Sequence, residues 1–214
     1  MMMKPKSLLS LLMVVAATFQ VAATDLFHLK DFTIQRGDTA LVEILLENEA
    51  EYTAFQSDLY FPEGLTIVPQ SVALTDRKAS DHMIVVNHIV DGGWRLMSYS
   101  LGVNAYSGNS GTLVTFKVVA SEDLTIPAVV VQKRTRFTEM SGREVSFDDA
   151  ACNVSCQGDV NLDGTPTIAD VTSLINYLLS GNDSAVGVSF ADLNEDNKVS
   201  IADVTALISL LLKD

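Results

Sequence analysis

Two spaced sets of oxygen-bearing residues stand out for the chemistry they could do. The first is Asp159, Asn161, Asp163, Thr165, Thr167 and Asp170, and the second is Asp192, Asn194, Asp196, Lys198, Ser200 and Asp203. Each set fills positions 1, 3, 5, 7, 9 and 12 of a 12-residue stretch. A hard Ca²⁺ ion takes about six to eight oxygens, and a loop of this length offers them from side chains at 1, 3, 5 and 12. Position 7 adds its main-chain carbonyl, so Thr165 and Lys198 need no particular side chain, and position 9 often acts through water. Position 6 favours positive φ, which Gly164 meets freely and Asn197 tolerates better than most residues. Two such loops imply two Ca²⁺ ions.

The loops belong to a duplication. Residues 159–181 lie over 192–214 at an offset of 33, with 12 of the 23 aligned pairs identical. After each loop, apolar residues fall at helical spacing: Ile168, Val171, Leu174, Ile175 and Leu178, then Ile201, Val204, Leu207, Ile208 and Leu211. Two amphipathic helices can bury these stripes against each other. The units depart from the EF-hand in having Asp at position 12 and no helical pattern ahead of either loop. Residues 157–214 carry 9 acidic and 2 basic side chains, a net of -7. Such crowded carboxylates repel until a divalent ion neutralises them, which makes metal binding part of the folding free energy.

At these residues, segment 158–214 resembles a dockerin, the duplicated calcium-loop and helix module of cellulosome-type assemblies. The resemblance implies folding around two Ca²⁺ and docking to a cohesin, a β-sandwich receptor module. Docking would use one helix face, with either copy able to engage after a half-turn. The matching positions are Ile168, Ala169, Ile201 and Ala202, with Ile175, Asn176, Ile208 and Ser209 further along. Family members often carry hydroxyl residues at loop positions 10 and 11, where this chain has the apolar pair Ile-Ala. Ile168 and Ile201 can instead be read as core.

From Thr24 to Ala150 the apolar residues follow a period of two, as in Val42, Ile44 and Leu46, in Phe55, Leu59 and Phe61, and in Val114, Phe116 and Val118. Turn residues break these runs at Arg36-Gly37-Asp38, Pro62-Glu63-Gly64, Asp91-Gly92-Gly93 and Gly108-Asn109-Ser110-Gly111. A hairpin is expected from Ile84 through Asp91-Gly92-Gly93 to Ser100. The fold class is therefore two domains: an all-β sandwich over 24–150 and a small all-α unit over 158–214, with a short connection at 151–157. Residues 26–125 also look like a cohesin-type or related carbohydrate-binding sandwich, on Phe32-Thr33-Ile34, the stretch Ala54 to Leu65, Arg95 to Ser100 and Gly111 to Phe116. That resemblance implies a module that binds a dockerin, a glycan or only its own neighbour. Candidate aromatic platforms for a sugar are Trp94, Tyr52, Tyr60, Tyr99 and Tyr106, although Trp94 sits in an alternating run that favours core packing.

Other function classes are disfavoured. A formal charge of -13 over 214 residues argues against nucleic acid, whose binding depends on clustered Lys and Arg. The one dense basic run, Lys133-Arg134-Thr135-Arg136, reads as a solvated strand end. Gly108-Asn109-Ser110-Gly111 is one residue short of a nucleophile elbow and lies in a turn between β runs. Residues 1–23 read as an export signal, with Lys4 and Lys6 before an apolar Leu8–Phe19 core and Val21-Ala22-Ala23 at the cut. That core is short of the roughly 20 residues that span a bilayer, so no transmembrane segment is expected after cleavage, and the location is secreted or cell-surface. Cys152 and Cys156 allow either a disulfide closing a tiny loop or two free thiols.

The sequence thus reads as a secreted, non-catalytic adaptor with a cohesin-type protein partner in polysaccharide-degrading complexes. The alternatives are a carbohydrate-binding protein that targets polysaccharide through the sandwich and a small glycoside hydrolase. Both module types in one chain also allow head-to-tail self-association, the sandwich of one copy capturing the dockerin of another.

Overall fold

The computed structural model describes residues 25–181, 187, 190–194 and 196–212. The signal-like segment 1–23 lies outside the described residues.

Alternation along the strands sorts side chains onto two faces, and burial of one face against another sheet closes the sandwich. The strands are β1 (Leu26–Leu29), β2 (Phe32–Thr33), β3 (Thr39–Glu47), β4 (Tyr52–Tyr60), β5 (Leu65–Leu74), β6 (His82–His88), β7 (Trp94–Ser100), β8 (Thr112–Ala120), β9 (Ala128–Glu139), β10 (Glu144–Ser146) and β11 (Ala150–Ser155). One sheet runs β1-β3-β8-β5, and the other runs β2-β11-β9-β4-β7-β6 with β10 added on β9. Val42, Ile44 and Leu46 of β3 and Val114, Phe116 and Val118 of β8 are all buried, as their spacing requires. Against them from the larger sheet come Phe55, Leu59 and Phe137. The ring of Phe137 packs, tilted or edge-on, with its centroid 4.8–5.4 Å from those of Tyr52, Phe27, Phe55 and Phe147. The β6–β7 hairpin forms as expected, Val85 facing Met97 and His88 facing Trp94.

Three expectations change. The stretch expected to connect the domains is mostly the closing strand of the larger sheet. β11 pairs antiparallel with β9 and parallel with β2, and Cys152 and Val154 turn into the core. Two inward residues are too short a pattern to read as a strand, and its partners lie far away in sequence. Only Cys156 and Gln157 then separate the sandwich from the helical unit.

The cysteines resolve to the second alternative: both are free thiols. Cys152 is buried, and burial pushes its thiol up to about 12. Four residues of nearly extended chain separate the two by about 13 Å at ~3.3 Å per residue, beyond the ~4.4–6.8 Å that a disulfide spans.

The basic run is solvated at Lys133, Arg134 and Arg136, but it is not a strand end. It lies inside β9, where the register slips opposite Gln56–Asp58 and Arg134 takes a φ of 52°. The slip sends Thr135 inward to hydrogen-bond with Ser57, and Arg134 outward onto Asp58. Asp58 is fully buried between Arg134 Nε at 2.6 Å and the Arg95 fork at 2.6 and 2.7 Å. Burial alone would raise the Asp58 pKa, but the two guanidiniums outweigh it and hold the carboxyl below its ordinary value. Arg134 also reaches Asp91 at 2.8 Å and the Tyr60 hydroxyl.

Candidate functional site

Each helix begins where its loop ends, and one residue type serves both. In α1 (Ile168–Ser180) the N-cap is Thr167, and in α2 (Ile201–Leu211) it is Ser200. The cap hydroxyls accept from Ala169 N and Ala202 N, each at 3.2 Å. Three residues on, Asp170 and Asp203 accept from the cap main-chain N–H at 2.7 and 2.8 Å, closing a capping box. This explains Asp at position 12: its short side chain binds the cap with one oxygen and the loop with the other. The second oxygen of Asp170 accepts from Asn161 N at 2.9 Å, and that of Asp203 from Leu193 N at 2.9 Å and Asn194 N at 3.3 Å.

The remaining loop residues repeat the same pattern. Asp159 accepts from the N–H groups of Asp163 and Gly164, both at 3.0 Å, and Asp192 from those of Asp196 and Asn197 at 3.2 and 2.8 Å. Asn161 and Asn194 each accept from the position-5 N–H at 3.0 Å. Asp163 and Asp196 accept from the position-7 N–H of Thr165 and Lys198 at 3.0 and 2.9 Å. Gly164 and Asn197 both sit at positive φ, 93° and 65°, as the turn demands.

These residues fit a calcium ion. Asp159, Asp170 and Asp203 are fully buried, yet among the described residues no Lys or Arg pairs with them or with Asp163, Asp192 and Asp196. Buried carboxylates without a cation are costly, and a divalent ion would supply the missing charge. Among the described residues no three His, Cys, Asp or Glu side chains form a ready-made metal centre. The three Asp carboxylates of each loop are instead turned onto main-chain N–H groups.

The helical stripes divide in two. Val171, Leu174, Val204 and Leu207 are buried together with Val160 and Ala191. Ile168 and Ile201 face solvent at 72% exposure each, so the reading of these two as core is overturned. Ile175 and Ile208 follow at 38% and 40%, and Leu179 and Leu212 at 82% and 81%. Ala169, Asn176, Ala202 and Ser209 are exposed as well. All eight residues expected on the partner face therefore lie on the surface.

In the sandwich, Trp94 packs against the core with its ring edge-on to His88 at 5.1 Å, as its place in the strand suggested. Tyr52 and Tyr106 are buried, Tyr60 is engaged by Arg134 and Asp91, and Tyr99 is exposed opposite Met83. Sequence reasoning missed the Asp58 cluster, and it missed Ser155, whose hydroxyl donates to Asp159 at 2.6 Å. Neither contact leaves a local signature.

The family model of the dockerin type I domain matches residues 157–212. The C-terminal segment is a dockerin. Dockerin type I domains bind calcium, in keeping with the geometry of the two loops. The sandwich is similar to a chain in the crystal structure of the sixth cohesin of scaffoldin B from Acetivibrio cellulolyticus in complex with a mutant Cel5 dockerin. Identity is 10%, the TM-score is 0.52, and the match covers 62% of this chain and 98% of that one. It is also similar to the solution structure of CaCohA2 from Clostridium acetobutylicum, at 13% identity and a TM-score of 0.50, over 62% of this chain and 90% of the other. At these identities the likeness is one of fold, and the chain is a cohesin-like sandwich followed by a dockerin. No curated protein matches it significantly. No helix among the described residues is long and apolar enough to cross a membrane.

Proposed function

We propose that this chain is an exported, non-catalytic adaptor of polysaccharide-degrading complexes. Its dockerin would bind two Ca²⁺ and dock onto the β-sheet of a cohesin-type partner. The observation that carries this reading is the pair of matched apolar faces, Ile168, Ile175 and Leu179 on α1, and Ile201 and Ile208 on α2 with Leu212 at its C-cap, exposed to nearly the same degree. Side chains of this size that face water in equivalent places on both copies suit a partner surface better than the module's own core.

Asp159, Asn161, Asp163 and Asp170 would hold one ion and Asp192, Asn194, Asp196 and Asp203 the other, with the carbonyls of Thr165 and Lys198. When bound, the ions neutralise the loop carboxylates. Thr167 and Ser200 start the helices, and Val171, Leu174, Val204 and Leu207 lock them together so that the isoleucines point outward. Apolar Ile-Ala pairs at the helix starts favour a partner with an apolar centre rather than a polar one. Residues 1–23 support export. Glycan binding has weaker support, because the sandwich's one tryptophan is packed against the core. The two folds in one chain support head-to-tail association between copies; light scattering that shows a monomer at high concentration in Ca²⁺ would remove that part.

The test is capture from secreted and surface fractions of the source organism, run with Ca²⁺ and with chelator, using the chain and an Ile168→Asp/Ile201→Asp variant. A cohesin-type protein should be held only with Ca²⁺ and lost by the variant, whose helical circular dichroism stays unchanged. Equal capture in chelator would overturn the reading.

A further inference from the structure

The duplicated loops are alike in their internal hydrogen bonds and unlike in what surrounds them. Loop one grows directly out of β11. Ser155, the last residue of that strand, is fully buried and donates its hydroxyl proton to Asp159 at 2.6 Å. Ser155 is itself held in the sheet, its carbonyl accepting from Ile34 N at 2.9 Å. On the other side of the loop, Gly164 lies against the segment that enters β9. A Cβ at this position would strike the Ile126 carbonyl oxygen and approach Pro127 at 3.6 Å. The sandwich therefore grips loop one at position 1 and at position 6.

Among the described residues, loop two shows neither contact. Asp192 is partly exposed, and its carboxylate oxygens accept only from Asp196 N and Asn197 N within the loop, among the described residues. At position 6 stands Asn197, exposed and carrying a side chain at positive φ. The difference between Gly164 and Asn197 is thus not explained by backbone conformation, since both residues have positive φ. It follows from the neighbour: in loop one the Ile126 carbonyl stands where a side chain would go.

We infer that Ser155 and the Ile126–Gly164 contact are positioning elements for the first calcium ion, so that loop one is held from the sandwich as well as from within, while loop two is held only from within. This inference rests on the calcium reading above. A ligand group already held in place loses less freedom on binding, and outer hydrogen-bond partners of metal ligands are commonly worth about 10–100-fold in affinity. The two sites then fill in order, loop one first. Because loop one keeps this geometry only while β11 is in the sheet, its ion also stabilises the sandwich by mass action.

The experiment titrates Ca²⁺ alone against a chromophoric chelator in two single-loop chains. Asp192→Asn/Asp196→Asn leaves loop one, and Asp159→Asn/Asp163→Asn leaves loop two. The loop-one chain should bind at least about tenfold more tightly. Adding Ser155→Ala should weaken the loop-one chain by about 10–100-fold and leave the loop-two chain unchanged, a split that a general loss of stability would not produce. Gly164→Asn, which copies the residue the second loop already tolerates, should weaken loop one likewise. It carries the test if Trp94 emission shows that Ser155→Ala does not fold. Equal affinities in the two single-loop chains, or a loop-one affinity that both substitutions leave within about twofold, would overturn the inference and leave the calcium reading standing. Absence of Ca²⁺ binding in the unaltered chain would overturn both.

Discussion

The sandwich and the dockerin solve the problem of holding a fold in different ways. In the sandwich, 26 buried side chains from both sheets meet in one continuous cluster, whereas the described part of the dockerin gathers 6. A core that small does not sustain a unit of about 55 residues alone, and small domains of this kind lean on metals or disulfides. Neither cysteine is in a disulfide, which on the calcium reading leaves the two metal loops as that support. The sandwich stands on its own buried core, to which a loop-one ion would only add, whereas on the calcium reading the dockerin depends on its ions.

Chelation is the most direct way to break that contrast. Excess EDTA should abolish most of the helical circular dichroism from α1 and α2 while the emission of Trp94, on β7, keeps its folded position at room temperature. Simultaneous loss of both signals would show that the two modules share one folding transition.

Core truncation sharpens it next. Leu59→Ala, at a fully buried site in β4, should cost the sandwich about 2–5 kcal/mol in a urea titration read by Trp94. Leu174→Ala, equally buried in α1, should instead show as weaker Ca²⁺ binding, because the ion's binding energy is the dockerin's folding energy. If both substitutions moved the Trp94 transition equally, the contrast would fail.

Acid gives a smaller effect, confined to the sandwich when measured in chelator. Hydrogen bonds from the Ser100 hydroxyl and the Gly102 N–H hold Asp81 down to about 2, and the arginines hold Asp58 below its ordinary value. Carboxyls lowered in the folded state contribute stability that is complete above the unfolded value near about 4. That contribution is lost as pH falls through the folded value. The urea midpoint should therefore fall between about pH 4 and pH 2, and Asp58→Asn should flatten part of that fall. A midpoint that holds steady through this window would exclude both carboxylates as contributors.

Thiol reactivity is the smallest signal. Cys152, buried with its thiol pushed up to about 12, should resist a thiol reagent at neutral pH until the sandwich unfolds. Cys156, half-buried at the module junction, should react first, as peptide mapping of the labelled chain would reveal.

The same division governs what could be read from the residues alone. The calcium loops were legible because all their information is local: every ligand falls within 12 residues, and the copy 33 residues on repeats it. Longer strands such as β3 and β8 were legible by alternation. β11 was not, since Cys152 and Val154 are its whole inward pattern and β2 and β9 supply the rest. Arg134 looked like a solvated charge because the slip that aims it at Asp58 depends on a partner strand 76 residues away. Helical spacing marked Ile168 and Ile175 as one stripe with Val171 and Leu174, but two helices have room to bury only the inner part of a stripe that wide. Ser155 and Gly164 carry their meaning only when the sandwich is beside them.

The parallel pairing of β11 with β2 has a consequence for how the molecule bears tension. The dockerin is attached to the far end of β11, so a pull on a docked partner runs along that strand. Its ladders to β9 and β2 lie side by side with the pull, as does the bond from Ile34 N to the Ser155 carbonyl. Force in that direction loads these hydrogen bonds together, in shear, instead of peeling them one after another. The junction would hold against drag better than its two-residue length suggests.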